Sequence, residues 1–341
     1  MKTIGYCAHD KNSPLVPFTF ERRALRSNDV AMEILYSGVC HSDLHTARND
    51  WGWTTYPNIP GHEIVGRVIE VGDHVAVGCM VDSCQECDPC HQHEEQFCEN
   101  GMTQTYNSPD RQTGDITMGG FSKHLIVREE FVLSVPKTLD LSRVAPLLCA
   151  GITTYSPLRT WNITKDSRVG VIGMGGLGHM AVKLAAGMGA EVTVISRSES
   201  KKDDAMELGA DHFLISEDSA QMENKASHFD LIIDTVPVKH DLNPYTPLLK
   251  IDGTLVLVGQ IGPVAEVMTT PLIMGRRRIA GSLIGGIKET QEMLNFCAEH
   301  NILPECEMIR MDEINEAFER MERSDVHYRF VIDMSSLQTE A

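Results

Sequence analysis

Four cysteines in one short stretch constrain this chain more than any other feature: Cys84-x-x-Cys87-x-x-Cys90-x7-Cys98. Thiolates at this spacing wrap one tetrahedral zinc and leave no open coordination position, so such a site is structural. A disulfide framework is the competing reading. A chain of 341 residues, however, buries a core that needs no staples, and Met1-Lys2-Thr3-Ile4-Gly5-Tyr6 lacks the apolar segment of a signal peptide. The cysteines therefore read as metal ligands plus spare thiols of a cytoplasmic protein. Cys7, Cys79, Cys297 and Cys306 are the spare ones, and His91 and His93, beside Cys90, read as solvated loop residues.

Charge narrows the partners. A formal net charge of −18 repels nucleic acid and anionic membranes. It also repels an anionic cofactor, so any dinucleotide site must carry its own local positive field. No uninterrupted apolar run is long enough to span a bilayer; the nearest, residues 169–195, is broken by His179, Lys183 and Glu191.

Residues up to about 135 hold short strand-like runs such as Val30-Ala31-Met32-Glu33-Ile34-Leu35-Tyr36, separated by Gly and Pro, which predicts a barrel-like β domain with the four-cysteine loop hanging from it. From Cys149 strand and helix patterns alternate, as in a doubly wound parallel sheet. The expected division is a catalytic zinc-binding β domain at 1–148, a dinucleotide-binding Rossmann domain at 149–285, and a return segment at 286–341 that completes the first domain.

Arg168-Val169-Gly170-Val171-Ile172 reads as a buried strand, and Gly173-Met174-Gly175-Gly176-Leu177-Gly178 as the turn that opens a helix. Glycines let the backbone approach a pyrophosphate, and the helix N-terminus offers free N–H groups and a positive dipole. Cofactor choice is read at the end of the second strand, where NAD binders place a carboxylate. This chain has Ser196-Arg197-Ser198-Glu199-Ser200-Lys201, with hydroxyls and cations suited to a 2′-phosphate. The expectation is NADP, with Glu199 the residue that argues against it.

A second metal site is suggested by Cys40, His62 and Cys149. Two thiolates and an imidazole leave a fourth zinc position open for water or an alcohol oxygen. Their spacing alone does not distinguish a site from three unrelated buried residues.

Together these motifs carry a resemblance. Gly38-Val39-Cys40-His41-Ser42-Asp43-Leu44-His45, Pro60-Gly61-His62-Glu63, the four-cysteine loop, Cys149 and the Gly-rich turn stand in the order found in zinc-dependent medium-chain alcohol dehydrogenases. Across essentially its whole length the chain is most similar to the branch of cinnamyl alcohol dehydrogenases and bacterial NADP-dependent aldehyde reductases. The resemblance implies a GroES-like first domain, two zinc ions per chain, NADP, a small aldehyde or alcohol as substrate, and a homodimer formed through the nucleotide-binding domains. It implies that Cys40, His62 and Cys149 hold the catalytic zinc, with Glu63 just behind it. By the same resemblance Asp43 would orient His62, Ser42 would exchange the alcohol proton, and His45 would pass that proton to solvent. His41 would lie near the pyrophosphate and Thr153 near the nicotinamide. Gly173, Gly175, Gly176, Leu177, Gly178, Ser196, Arg197, Ser198 and Lys201 are the remaining cofactor contacts.

The chain departs from the family twice. Val71-Gly72-Asp73-His74-Val75-Ala76-Val77-Gly78 joins the two strands around it directly, where relatives have a longer stretch. Either a shorter hairpin closes the barrel or one strand is lost. Gln104 stands by approximate register where plant lignin-pathway enzymes carry a pocket tryptophan, which argues against a dedicated lignin role. The reading is an aldehyde reductase with a broad aromatic and aliphatic range. The alternatives are an NAD-dependent alcohol or polyol dehydrogenase and, from another class, a zinc-stabilised binding protein without catalysis.

Overall fold

The structure, a computed structural model, describes residues 1–259 and 262–337. The chain separates into two compact units, one formed by residues 1–149 with the segment from 285 onward, the other by 150–284. No helix among the described residues is long and apolar enough to cross a membrane.

The first unit is built on strands. Lys2–Cys7 and Val16–Glu21 form an antiparallel hairpin. A larger sheet runs in the order Cys306–Arg310, Arg329–Asp333, Asp29–Val39, Ile64–Val68, His74–Val77, Leu133–Ser134. His124–Arg128 pairs with the first half of Asp29–Val39, and Arg329–Asp333 takes its second half, with Phe330 opposite Val39. The last stretch of the chain thus lies in the same sheet as the strand that leads into Cys40. Phe121, Phe131, Phe330, Met32, Ile64 and Leu133 are fully buried in this unit's core.

The shortened stretch resolves as a hairpin. Ile64–Val68 pairs antiparallel with His74–Val77, placing Ile64 opposite Val77 and Arg67 opposite His74. Gly72 N–H donates to the Val68 carbonyl at 2.9 Å and Val68 N–H to the Asp73 carbonyl at 2.9 Å. Gly72 has φ +81°, a conformation that a tight reversal asks of glycine. The turn leaves Ile69 and Val71 exposed at its tip.

The second unit is a six-stranded parallel sheet in the order His212–Ile215, Glu191–Ser196, Arg168–Ile172, Phe229–Asp234, Leu249–Leu257, Arg278–Gly281. Parallel strands covered on both faces carry near-continuous apolar runs, as Val169, Val171, Val192, Val194, Leu231 and Ile233 do here with no exposure. The strand order reverses beside Arg168–Ile172, the topological switch point at which such sheets bind ligands beyond their carboxyl ends.

Candidate active site

The closed four-cysteine site assembles in the first unit. Cys84, Cys87, Cys90 and Cys98 place one sulfur each within 4.8 Å of one another. Backbone N–H groups point at these sulfurs: Cys84 N–H to Cys98 Sγ at 3.4 Å, Glu86 N–H to Cys84 Sγ at 3.5 Å, and Glu99 N–H to Cys87 Sγ at 3.5 Å. The Glu86 N–H is the largest cause that brings the Cys84 thiol down to about 6, while burial pushes Cys90 up to about 12. N–H groups aimed at sulfur favour thiolates, and four thiolates around one point fit a tetrahedral zinc.

The second cluster lies where three segments of the same unit converge. Cys40 ends the strand Asp29–Val39 and precedes the helix His41–Ala47; His62 and Glu63 lead into Ile64–Val68; Cys149 closes the short helical run Ala145–Leu148. Cys40, His62, Glu63 and Cys149 are all buried, and their donor atoms lie within 4.8 Å of one another. The structure therefore brings together the three residues expected from sequence, with a Glu63 oxygen in the same cluster.

Their electrostatics are those of a cation site. The Cys149 thiol, 4.0 Å from Cys40 Sγ, hydrogen-bonds that sulfur and holds Cys40 well below the usual thiol range; Cys149 is pushed well above it. Burial opposes the charging of His62, yet the Asp43 carboxylate, 3.0 Å from Nδ1, raises it well above the usual imidazole range. Burial brings Glu63 up to about 7 against the pull of Arg329. One Glu63 oxygen meets Arg329; the other, Oε2, is buried without a hydrogen-bond partner. Such an orphaned oxygen beside two sulfurs and an imidazole fits a zinc ion, which would exchange the protons of this set for its own charge. Gly38 makes room for it, since a Cβ there would lie 1.9 Å from Glu63 Oε2.

In the second unit the Gly-rich turn follows Arg168–Ile172 and opens the helix Gly178–Gly187. Gly173 has φ +92°, and a Cβ on Gly178 would lie 2.2 Å from the Gly173 carbonyl oxygen. A Cβ on Gly175 would meet nothing within 4 Å, so the turn keeps an open face where a pyrophosphate fits. Glu191–Ser196 ends without a carboxylate. Ser196 is half-buried at the strand end, and Arg197 and Ser198 are exposed beyond it. Lys201 Nζ donates to the Met174 carbonyl at 2.8 Å, tying this loop to the turn.

Residues 26–137 match the alcohol dehydrogenase GroES-like domain, and residues 176–299 match the zinc-binding dehydrogenase domain. The chain is 51% identical over 350 residues to NADP-dependent alcohol dehydrogenase C 1 of Mycolicibacterium smegmatis, covering 99% of this chain and 100% of the relative. It is 51% identical over 348 residues to aldehyde reductase YahK of Escherichia coli, covering 99% of each. This chain belongs to the zinc-binding alcohol dehydrogenases. Among solved structures it is similar to a CAD from Helicobacter pylori complexed with NADP(H), with a TM-score of 0.90 and 42% identity over 98% of this chain and 99% of that one.

Of the other expected residues, His41, Ser42, Asp43 and His45 share the helix His41–Ala47 and Thr153 lies on Ala150–Thr160. His41, Ser42 and His45 are half-buried on the helix His41–Ala47, with Ser42 Oγ 3.7 Å from Cys40 Sγ. Burial lowers His41, favouring its neutral form. Asp43 has no exposure: Oδ2 accepts the Cys40 N–H at 2.9 Å, and Oδ1 accepts the Gly61 N–H at 2.9 Å as well as facing His62. Thr153 is buried in the helix Ala150–Thr160 of the second unit.

Sequence reasoning missed two partners. Asp50 Oδ2 lies 2.8 Å from His45 Nδ1, and Arg329 pairs with Glu63. Asp50 lies close enough in sequence to His45 to have been a candidate. Arg329 carries no local signal, because it reaches Glu63 only through the pairing of Arg329–Asp333 with Asp29–Val39.

Proposed function

We propose that this chain is an NADP(H)-dependent, zinc-dependent alcohol dehydrogenase that acts mostly as an aldehyde reductase on a broad range of aromatic and aliphatic aldehydes. The observation that carries this is a buried Cys40–His62–Glu63–Cys149 donor set in a chain whose Rossmann turn is followed by a strand ending on Ser196 without a carboxylate. The relatives named above, one NADP-dependent and one an aldehyde reductase, support the same reading.

Cys40, His62 and Cys149 would hold the catalytic zinc and Cys84, Cys87, Cys90 and Cys98 the structural one; the donor atoms of each set, with a Glu63 oxygen beside the first, lie within 4.8 Å of one another. When bound, zinc supplies Lewis-acid polarisation of the carbonyl and the reduced nicotinamide supplies hydride. The chain's own residues handle the proton. Ser42 Oγ donates to the substrate oxygen. His45, one helical turn further along the same face, restores the Ser42 proton. Asp50 holds His45 by Nδ1 and so sets which nitrogen faces Ser42. Asp43 does the same for His62. In the second unit Gly173, Gly175, Gly176, Leu177 and Gly178 receive the pyrophosphate, and Ser196, Arg197 and Ser198 the 2′-phosphate. Lys201 supports that loop from the Met174 carbonyl and keeps a cation beside the phosphates. His41 serves the pyrophosphate and Thr153 the nicotinamide.

The chain acts in the cytoplasm as a homodimer formed through its second unit. Arg278–Gly281 lies at the edge of the six-stranded sheet, and the neighbouring helix Thr270–Gly275 exposes Ile273 at 73% and Met274 at 81%. An open edge beside large exposed apolar side chains suits a self-complementary interface.

Parallel assays with NADPH and NADH over aromatic and aliphatic aldehydes test the reading. Higher kcat/KM with NADPH is expected. A preference for NADH overturns the cofactor assignment, and no turnover with either cofactor overturns the reaction.

A further inference from the structure

We propose that Asp234 and His240 are positioning residues for the dinucleotide cofactor: their side chains share a proton and clasp residues 235–239 into a loop beside the Gly-rich turn. This rests on the reading of Gly173 to Gly178 as the pyrophosphate site.

Asp234 ends the strand Phe229–Asp234, next to Arg168–Ile172 at the switch point of the parallel sheet. The backbone there is locked on both sides. Thr235 N–H and Oγ1 both donate to the Ile172 carbonyl, at 3.1 and 2.7 Å, and Val258 and Gly259 N–H donate to the Asp234 carbonyl at 3.0 and 3.2 Å. The Gly-rich turn makes room for this segment. A Cβ on Gly173 would lie 2.9 Å from Thr235 Oγ1 and 3.4 Å from Val236 Cγ2, and one on Gly178 would lie 3.2 Å from Thr235 Oγ1. Beyond Val236 the chain leaves the sheet: Pro237, Val238 and Lys239 are exposed, and His240 is half-buried again. The loop thus starts against the first glycine of the turn, and its course depends on what holds its far end.

His240 holds that end. Its Nδ1 lies 2.9 Å from the Val238 carbonyl oxygen, and its Nε2 lies 3.0 Å from Asp234 Oδ2. Asp234 is 1% exposed, and its Oδ1 accepts the Val236 N–H at 3.1 Å. Neither Oδ2 nor His240 Nε2 has another hydrogen-bond partner among the described residues. A carbonyl oxygen only accepts, so Nδ1 carries a hydrogen. A neutral imidazole has no second one, and its Nε2 lone pair would then face a carboxylate oxygen. The contact is met when one further proton sits between the two atoms, as imidazolium with carboxylate or as imidazole with carboxylic acid. Burial raises the Asp234 carboxyl, and the adjacent His240 opposes that rise. The Tyr245 ring stands edge-on to the imidazole with centroids 6.2 Å apart, and burial raises its hydroxyl, favouring the neutral form. Of the charged groups nearby, Asp241 is taken up by Asn243, Lys239 is exposed, and Arg197 acts on Tyr245 from the loop after Glu191–Ser196. Asp234 is the carboxylate in contact with the imidazole. Loss of the proton turns attraction into repulsion, so the clasp is closed at lower pH and opens as pH rises. With the clasp open, cofactor binds only the fraction of molecules whose loop is still in place.

The test is the affinity for NADPH. Zinc-loaded full-length protein would be titrated with NADPH, with binding followed by nicotinamide fluorescence. His240→Leu removes the clasp, and its Kd for NADPH is expected to rise about 10-fold, the worth of one charge-assisted hydrogen bond. KM for NADPH should rise with it, while kcat and KM for the aldehyde stay near wild type. His240→Gln keeps a donor for Asp234 Oδ2 and is expected to recover most of the affinity. Asp234→Asn isolates the proton: its amide donates to the neutral imidazole, so the clasp no longer depends on pH. The ratio of the wild-type Kd to that of Asp234→Asn is expected to rise between roughly pH 6 and 9. Titration of the cofactor's own 2′-phosphate affects both proteins and cancels. A flat ratio overturns the inference, as does wild-type affinity in His240→Leu, even if that variant melts earlier. Should His240→Leu not fold, the ratio decides alone. Gly178→Ala is the reference, since its Cβ would lie 2.2 Å from the Gly173 carbonyl oxygen. If it binds NADPH as wild type does, the reading of the turn falls and this inference with it; if it alone loses binding, only the clasp is wrong.

Discussion

Arg329 and Glu63 form an ion pair in the interior of the first unit, with 4% and 0% exposure. The two residues stand 266 positions apart. Glu63 is thereby bound on one oxygen by a guanidinium and offers the other to the cluster of Cys40, His62 and Cys149. Arg329→Met leaves a buried carboxylate without its cation, which costs about 3–5 kcal/mol. A lowered Tm in thermal melts is expected, and Glu63→Gln added to Arg329→Met should recover part of it. Melting at the wild-type temperature would show that the pair contributes no net stability.

Gly38→Ala should be damaging for a related reason. Its new Cβ would fall 1.9 Å from Glu63 Oε2 and 3.0 Å from Glu63 Cβ, so the carboxylate must move away from the donor cluster. Loss of one zinc equivalent by atomic absorption, with the four-cysteine zinc retained, is the expected result.

Cys149→Ser is expected to lose catalytic zinc and activity while keeping the fold. Cys149 belongs to the open set and is not one of the four cysteines of the closed cluster. Turnover near wild type in the purified variant would remove Cys149 from the site.

Cys87→Ser should behave in the opposite way. Cys87 caps the short helix Asp88–His91 and accepts the Glu99 N–H on its sulfur, so the loop depends on its metal for shape. Metal-binding free energy is folding free energy in such loops. A lower Tm with loss of the other zinc equivalent is expected; an unchanged Tm with that zinc absent would contradict a structural role.

Ser196→Asp tests cofactor choice. Ser196 ends the second Rossmann strand, and a carboxylate there would repel a 2′-phosphate and accept from the ribose hydroxyls of NADH instead. Charge-assisted bonds of about 1.5–3 kcal/mol each place the wild-type preference for NADPH above roughly tenfold. The ratio of kcat/KM for NADPH over NADH should fall sharply, with aldehyde preference nearly unchanged. An unmoved ratio would mean that this loop does not read the phosphate.

Much of this site was legible in the chain itself, and the reason is chemical. Cys84, Cys87, Cys90 and Cys98 are neighbours in sequence, so one loop suffices to bring them together. The glycines at 173, 175 and 178 declare a turn through what they lack: two of them stand where a Cβ would collide, the third where space is left open. Ser42, Asp43 and His45 share one short helix with Cys40 at its start. The alternating and continuous apolar runs separated a strand-built unit from a parallel sheet because those periods follow from which faces are buried.

What the sequence by itself determined was the set of chemically special side chains and the short segments that carry them. Only the tertiary structure decided which distant groups meet those segments. Arg329 reaches Glu63 because the last strand, Arg329–Asp333, pairs with Asp29–Val39. Tyr106 reaches His62 because Thr103–Gln104 pairs with Met80–Asp82. The shortened stretch after Val68 closed as a hairpin because Ile64 through Arg67 found partners in His74 through Val77. Each of these contacts is set by strand register, and register is fixed by burying one face of a whole sheet at once, a condition that no local run of residues can express.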